Sequence, residues 1–233
     1  MWTPGALSSE VRPYAAEVWR LVEAQSRSST MRLTDTWEEQ HLLEDLIEEV
    51  KPPIPAECRH LHWLLATPFR YAPYPNGSRF RRAGQAEGAF YAGEAVETAV
   101  AELAFYRRKF FDESPDTKLP DRPTEHTAFS VALNTGRALD LTQPPLDRDQ
   151  ALWTHPSDYA ACQALADKAR DATIAVVRYR SVRDPAGGCN VAVLSPSAFA
   201  EREPRQMQTW RLFIRETGVQ AVREFPRVEL VFG

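Results

Sequence analysis

Apolar positions recur every three to four residues along the start of the chain. Val11, Tyr14, Val18, Leu21 and Val22 share that spacing and predict an amphipathic helix over residues 10–28. Trp37, Leu42, Leu43, Leu46, Ile47 and Val50 repeat it over residues 35–50, behind a capping Asp35 with Glu38 three positions on. Pro52, Pro53 and Pro55 then stop any helix, because proline lacks a donor and restricts the residue before it. We divide the chain there, into an N-terminal helical segment (1–55) and a second unit (56–233).

The second unit changes rhythm. Residues 89–92 predict a short strand and residues 94–111 a helix. Pro115, Pro120 and Pro123 make 112–124 a loop. Residues 127–133 and 137–141 predict a strand pair turning at Asn134-Thr135-Gly136. Residues 157–172 predict a helix, with Tyr159, Cys162, Leu165, Ala166 and Ala169 on one side. Four β-rich segments follow, at 174–180, 190–195, 209–215 and 228–232. Strands and helices intersperse without a βαβα alternation, which indicates an α+β fold.

Composition narrows the function. At 233 residues and 43% hydrophobic, the chain is long enough to bury a core. Its 28 basic and 32 acidic side chains leave a net charge of −4, which disfavours general nucleic-acid binding and favours small molecules or proteins as partners. Cys58, Cys162 and Cys189 form no CxxC, so reduced thiols are expected. The N-terminus shows no basic stretch followed by an apolar one, and no apolar run reaches membrane length, so a cytoplasmic protein is expected. His60 and His62 lack a third ligand at a sensible spacing, so no metal is expected. Dinucleotide, phosphate-loop, nucleophile-elbow and zinc-protease motifs are absent.

What remains is a set of polar residues in apolar or small-residue surroundings. Arg70 stands between Phe69 and Tyr71, Arg79 follows Gly77-Ser78, and Tyr91 lies in an apolar run. Glu102 interrupts Ala99-Val100-Ala101 and Leu103-Ala104-Phe105. It sits either on a solvated helix stripe or is held inside, with Thr98 and Tyr106 four positions away. Ser181 ends an apolar strand, where a hydroxyl either caps the next turn or faces a ligand. Two arginines, an aromatic ring, a carboxylate and a hydroxyl suit a phosphorylated nucleoside. Arginine forks onto phosphate, tyrosine stacks on a base, and a carboxylate holds ribose hydroxyls and opposes positive charge at the anomeric carbon.

At these residues the sequence resembles the RES-domain family of bacterial toxins, named for its Arg, Glu and Ser. The resemblance runs through Phe69-Arg70-Tyr71, Gly77-Ser78-Arg79-Phe80-Arg81-Arg82-Ala83-Gly84, Phe90-Tyr91-Ala92-Gly93, Glu97-Thr98-Ala99-Val100-Ala101-Glu102, Tyr179-Arg180-Ser181 and Gly188-Cys189-Asn190-Val191-Ala192-Val193. It covers roughly residues 60–200. It implies an ADP-ribosyltransferase-like mixed sheet core that consumes NAD⁺ as a substrate, without a metal, and a helix-turn-helix antitoxin as partner. The carried-over roles are phosphate contacts for Arg70 and Arg79, the nicotinamide side for Tyr91, and the nicotinamide ribose for Glu102. Ser181 and Asn190 would position the ribose or nicotinamide. Where the family often has Arg-Trp-Asn, this chain has Arg79-Phe80-Arg81.

The implied reaction splits the nicotinamide–ribose bond and passes ADP-ribose to a protein, water or phosphate. A host protein target is thus one admissible partner. A non-enzymatic nucleotide- or peptide-binding module using the same cleft is the alternative. RNA binding through Arg79, Arg81 and Arg82 is a third reading. The N-terminal helices are a candidate antitoxin surface.

Overall fold

The computed structural model describes residues 2–24, 33–70 and 75–233. Its fold is mixed α+β. A short helix α1 (Pro4–Ser9) leads into strand β1 (Arg12–Glu23). This strand pairs antiparallel with β3 (Thr124–Asp140), from Arg12 opposite Ala138 to Glu23 opposite His126, and meets β2 (Phe90–Gly93) at Trp19 and Gly93. Next to β2 lies β5 (Cys189–Val193), then β4 (Val176–Arg180), which returns in parallel to β3. These pairings close a ring of five strands. Outside the ring, β3 also carries β6 (Met207–Arg215), followed by β7 (Gly218–Arg223) and β8 (Val228–Phe232).

Every strand of the ring sends side chains into one apolar cluster. Val18, Phe90, Phe129, Val131, Val176, Val191 and Val193 meet there, joined by Leu64, Leu65 and Phe69 of helix α3 (Trp63–Arg70). A second cluster lies outside the ring, where helix α6 (Ala160–Asp171) packs Cys162, Leu165, Ala166 and Ala169 on Leu139, Val177, Tyr179 and Ala192. Helix α4 (Val96–Asp112) forms a third, with Val96, Val100 and Ala104 over Trp210, Leu212 and Ala221.

The prediction of a helix over residues 10–28 is corrected: the segment is a strand where described, and residues 25–28 lie outside the described residues. Val18 packs inside the ring beside Tyr14, Ala16 and Val22, while Trp19 and Leu21 pack under α4. With both faces covered, the strand has no simple apolar–polar alternation. Helix α2 (Trp37–Val50) forms as expected, but its cap is Thr36, in a capping box with Glu39, one residue beyond the Asp35–Glu38 pair.

The expected hairpin at Asn134-Thr135-Gly136 is a second correction, because β3 runs straight through it. Arg12 and Tyr14 of β1 face Ala138 and Thr135, so β3 holds one extra residue there, a bulge containing Gly136. Thr135 Oγ1 accepts from the Arg137 backbone N–H at 3.0 Å. Strand β7 is an addition to the predicted elements. Gly218 (φ 142°) makes its turn, where a Cβ would stand 2.2 Å from the Phe232 carbonyl oxygen.

A polar network joins β1, β3, β4 and the turn after β2. Arg178 donates to both carboxylate oxygens of Glu94 (2.7 and 2.8 Å), to Asp140 (3.2 Å) and to Thr142 (2.7 Å). Tyr14 donates its phenol proton to Glu94 at 2.8 Å. Burial and the Glu94 charge push the Tyr14 pKa up, so the phenol stays protonated. Replacing Arg178 by Met leaves two carboxylates uncompensated at one end of the ring. A loss of about 3 kcal/mol in urea unfolding is expected for Arg178→Met.

His126 is fully buried, and its Nε2 has no hydrogen-bond partner. Burial, and then the Arg107 charge, lower its pKa from the ordinary 6.5. Well above pH 6.5 both the folded and unfolded forms carry neutral imidazole, and titration of this histidine adds no pH dependence to stability. Below it the unfolded chain takes up a proton that the folded one refuses, so stability falls towards the lowered folded pKa. Urea midpoints between pH 7.5 and 5.5 should show an acid-side slope of up to ~1.4 kcal/mol per pH unit that His126→Leu removes.

Candidate active site

A cavity of about 650 Å³ opens between α4, the outer face of β2, β5 and β4, and the 156–159 loop. That volume falls within the range of small-molecule sites. Gly93 sets the approach of α4 to the sheet: a Cβ there would lie 2.8 Å from the Ala99 nitrogen and 2.9 Å from the Ala95 carbonyl. The helix then presents Ala99, Glu102, Leu103, Tyr106 and Lys109 to the cavity, a stripe at three- and four-residue spacing.

Glu102 is held from two strands. Ser181 Oγ donates to its Oε1 at 2.7 Å and Asn190 Nδ2 to the same oxygen at 2.6 Å. Ser181 and Asn190 are both buried. The Ser181 oxygen accepts from the backbone N–H groups of Arg183 (3.2 Å) and Asp184 (3.1 Å), so its own proton is directed to Glu102. The hydroxyl therefore caps the turn after β4 and holds the carboxylate that lines the cavity. Glu102 is not on a solvated stripe. It is half-buried, with its charge supported by two donors.

Aromatic rings and arginines form the remaining walls. Tyr91 lines the cavity while its hydroxyl accepts from the Phe80 N–H at 3.0 Å and bonds Ser78 Oγ at 2.8 Å, fixing the 78–80 loop on β2. Burial raises the Tyr91 pKa and keeps it neutral. Arg79 is buried and donates to the Trp153 carbonyl at 2.7 Å. Its guanidinium lies 4.6 Å from the Tyr159 ring and 5.9 Å from that of Tyr179. Burial, reinforced by the Glu102 charge, raises the Tyr179 pKa strongly. Burial and a hydrogen bond with Tyr159 raise that of Tyr106. Arg183 lies 3.5 Å from the Phe105 ring centre and donates to the Pro156 carbonyl.

Five of the six residues picked from the sequence thus come together: Arg79, Tyr91, Glu102, Ser181 and Asn190. Arg70 does not join them. Its guanidinium bonds the Pro52 carbonyl and sits 2.6 Å from the Glu48 carboxylate, clamping α2 to the end of α3. The expectation of phosphate contacts from Arg70 finds no support in that placement. Tyr71 lies outside the described residues.

Arg20, Tyr106, Lys109, Tyr159, Tyr179 and Arg183 are among the lining residues that the sequence alone does not assign to the site. Tyr106, one turn from Glu102, carried the available signal, since residues four apart on a helix share a face.

The three arginines of 79–82 do not make a common basic face. Arg79 is buried, Arg81 donates to the Gln85 carbonyl at 2.7 Å, and Arg82 pairs with Asp167 at 2.7 Å. Phe80, at the position where the resemblance leads to Trp, is fully buried edge-on to Tyr179 at 4.9 Å. Among the described residues no three His, Cys, Asp or Glu side chains group to hold a metal ion. No described helix is long and apolar enough to cross a membrane.

Fold and site together define a mixed α+β protein with a cavity lined by aromatic rings and arginines around a clamped carboxylate. A family model, the RES domain, matches residues 54–215, which is more than half of the chain. The chain belongs to the RES-domain family. Among solved structures it is similar to a chain of the M. tuberculosis MbcT-MbcA toxin-antitoxin complex, at 14% identity and a TM-score of 0.49, covering 88% of this chain and 89% of that one. No curated protein matches it.

The placement of Arg70 gives a direct test. Arg70→Ala should leave ligand affinity at the cavity within about threefold, or ~0.7 kcal/mol. It should also speed limited proteolysis around residues 51–55, because the tie to Glu48 and Pro52 is lost. The checks are calorimetric titration with NAD⁺ and a timed protease digest.

Proposed function

We propose that this chain is the toxin of a toxin–antitoxin pair, an enzyme that cleaves the nicotinamide–ribose bond of NAD⁺ and passes ADP-ribose to an acceptor. It acts in the cytoplasm under the restraint of a cognate antitoxin of the helix-turn-helix type. Membership of the RES-domain family supports the reading. The observation that carries it is the arrangement of Glu102, whose two hydrogen bonds both end on Oε1 and leave Oε2 for a ligand.

The residues present fit NAD⁺ as a substrate. Tyr91, Tyr106, Tyr159 and Tyr179 offer flat apolar surfaces for the two rings, and Arg79 and Arg183 supply positive charge for the pyrophosphate. Glu102 holds ribose hydroxyls and opposes the positive charge that grows at the anomeric carbon. As the C–N bond breaks, its electron pair passes to the pyridinium nitrogen and nicotinamide departs neutral. No protonating acid is needed, so orientation and electrostatic support are the work of the site. The acceptor then forms the new bond at the anomeric carbon and releases its proton to solvent, and protein, water and phosphate each satisfy that step.

The test is incubation of the purified chain with radiolabelled NAD⁺, with and without host lysate, beside Glu102→Gln. The wild type should consume NAD⁺, and Glu102→Gln should slow it on the order of 10²-fold, ~2.7 kcal/mol of barrier, while still binding the ligand. Label on a discrete protein band identifies a protein acceptor, and free ADP-ribose or its phosphorylated form identifies water or phosphate. Ligand binding without consumption by folded, antitoxin-free wild type would leave a binding module instead.

A further inference from the structure

Helix α2 is amphipathic, yet little of its apolar surface is covered. Gln40 is its one buried residue. Leu42, Leu46 and Val50, four positions apart, are exposed to 61%, 50% and 82%. Side chains at that spacing form a row along one side of a helix. At 100° per residue, Glu38, Asp45 and Glu49 form a parallel exposed row along one border of it. The helix has no basic residue in its last turn, and Lys51, just after it, pairs with Glu48 at 3.0 Å.

We infer that this face of α2 is the docking surface for the antitoxin, which presents a helix with an apolar row bordered by Lys or Arg. The inference rests on the toxin reading above and adds where the partner sits. Charge complementarity selects this occupant. A second copy of the chain packed antiparallel would set one acidic row against another, and like charges across an interface are repulsive. An apolar row at i, i+4, i+8 spans about 12 Å of helix and matches the anchor spacing of helix-on-helix recognition.

Two further observations agree. The family match begins at residue 54, after α2 has ended, so this helix lies outside the matched region, and none of its residues lines the cavity. Arg70 ties α2, through Glu48 and Pro52, to the chain that leads into the site loop at Ser78 and Arg79. A partner on α2 is thereby anchored close in sequence to the cavity wall.

The experiment takes the protein encoded beside this chain's gene as the probe and measures its affinity for the full chain by calorimetry. Leu46→Asp, and separately the triple charge reversal Glu38→Lys, Asp45→Lys, Glu49→Lys, should each weaken binding about tenfold or more. Both changes are at exposed positions, and circular dichroism should report unchanged folding. Raising salt from about 0.05 to about 0.5 M should weaken the wild-type complex and affect the charge-reversed chain far less. NAD⁺ consumption by each free variant should equal that of the wild type.

Wild-type affinity in both variants, or no binding of the probe to wild type, would overturn the docking surface. Those results are distinguishable from failure of the enzymatic reading, which appears as absent NAD⁺ consumption by the free wild-type chain.

Discussion

One carboxylate oxygen joins the helical and sheet layers of this protein at its cavity. Glu102 Oε1 accepts hydrogen bonds from Ser181 and Asn190, residues 79 and 88 positions away in the chain. A half-buried charge is tolerated only where donors replace the water it has lost. Those donors stand in the right places because β4 and β5 are fixed neighbours in a closed ring, and because Gly93 lets α4 come close to the sheet. The same carboxylate helps keep the Tyr179 phenol protonated, which preserves a neutral aromatic wall behind Arg79.

The fold was legible where a helix lays one side on the sheet. α4 and α6 showed their periodicity because each packs one side onto the sheet, and the strands after residue 170 stood out by their β-branched content. β1 was not legible, because Val18 faces the ring interior and Trp19 faces the cluster under α4. β3 carries turn-type residues that serve a bulge, so local chemistry pointed to a hairpin while the pairing with β1 carried the strand onward. β7 showed only a short alternation after Gly218.

The site was legible to a different degree. Glu102, Ser181, Arg79, Tyr91 and Asn190 stood out through family resemblance, and the structure brings four of them to one cavity, with Ser181 behind Glu102 as its donor. Periodicity left the direction of Glu102 open, since a carboxylate within an alanine-rich helix faces either way until its partners are known. Those partners come from strands far along the chain, which no local window contains. Arg70 shows the converse. Its aromatic neighbours gave it the look of a binding residue, but Glu48 and the Pro52 carbonyl lie closer to hand, and the guanidinium became a structural clamp.

The most direct measurement is a double-mutant cycle on NAD⁺ cleavage between Glu102→Gln and Asn190→Ala, with the fold of each variant checked by circular dichroism. If Asn190 acts by holding the Glu102 carboxylate, Asn190→Ala slows cleavage by the wild type and adds almost nothing once Glu102 is Gln, so the two losses are strongly non-additive. Losses that add in full would contradict the account, because Asn190 would then serve the reaction independently of the carboxylate it touches.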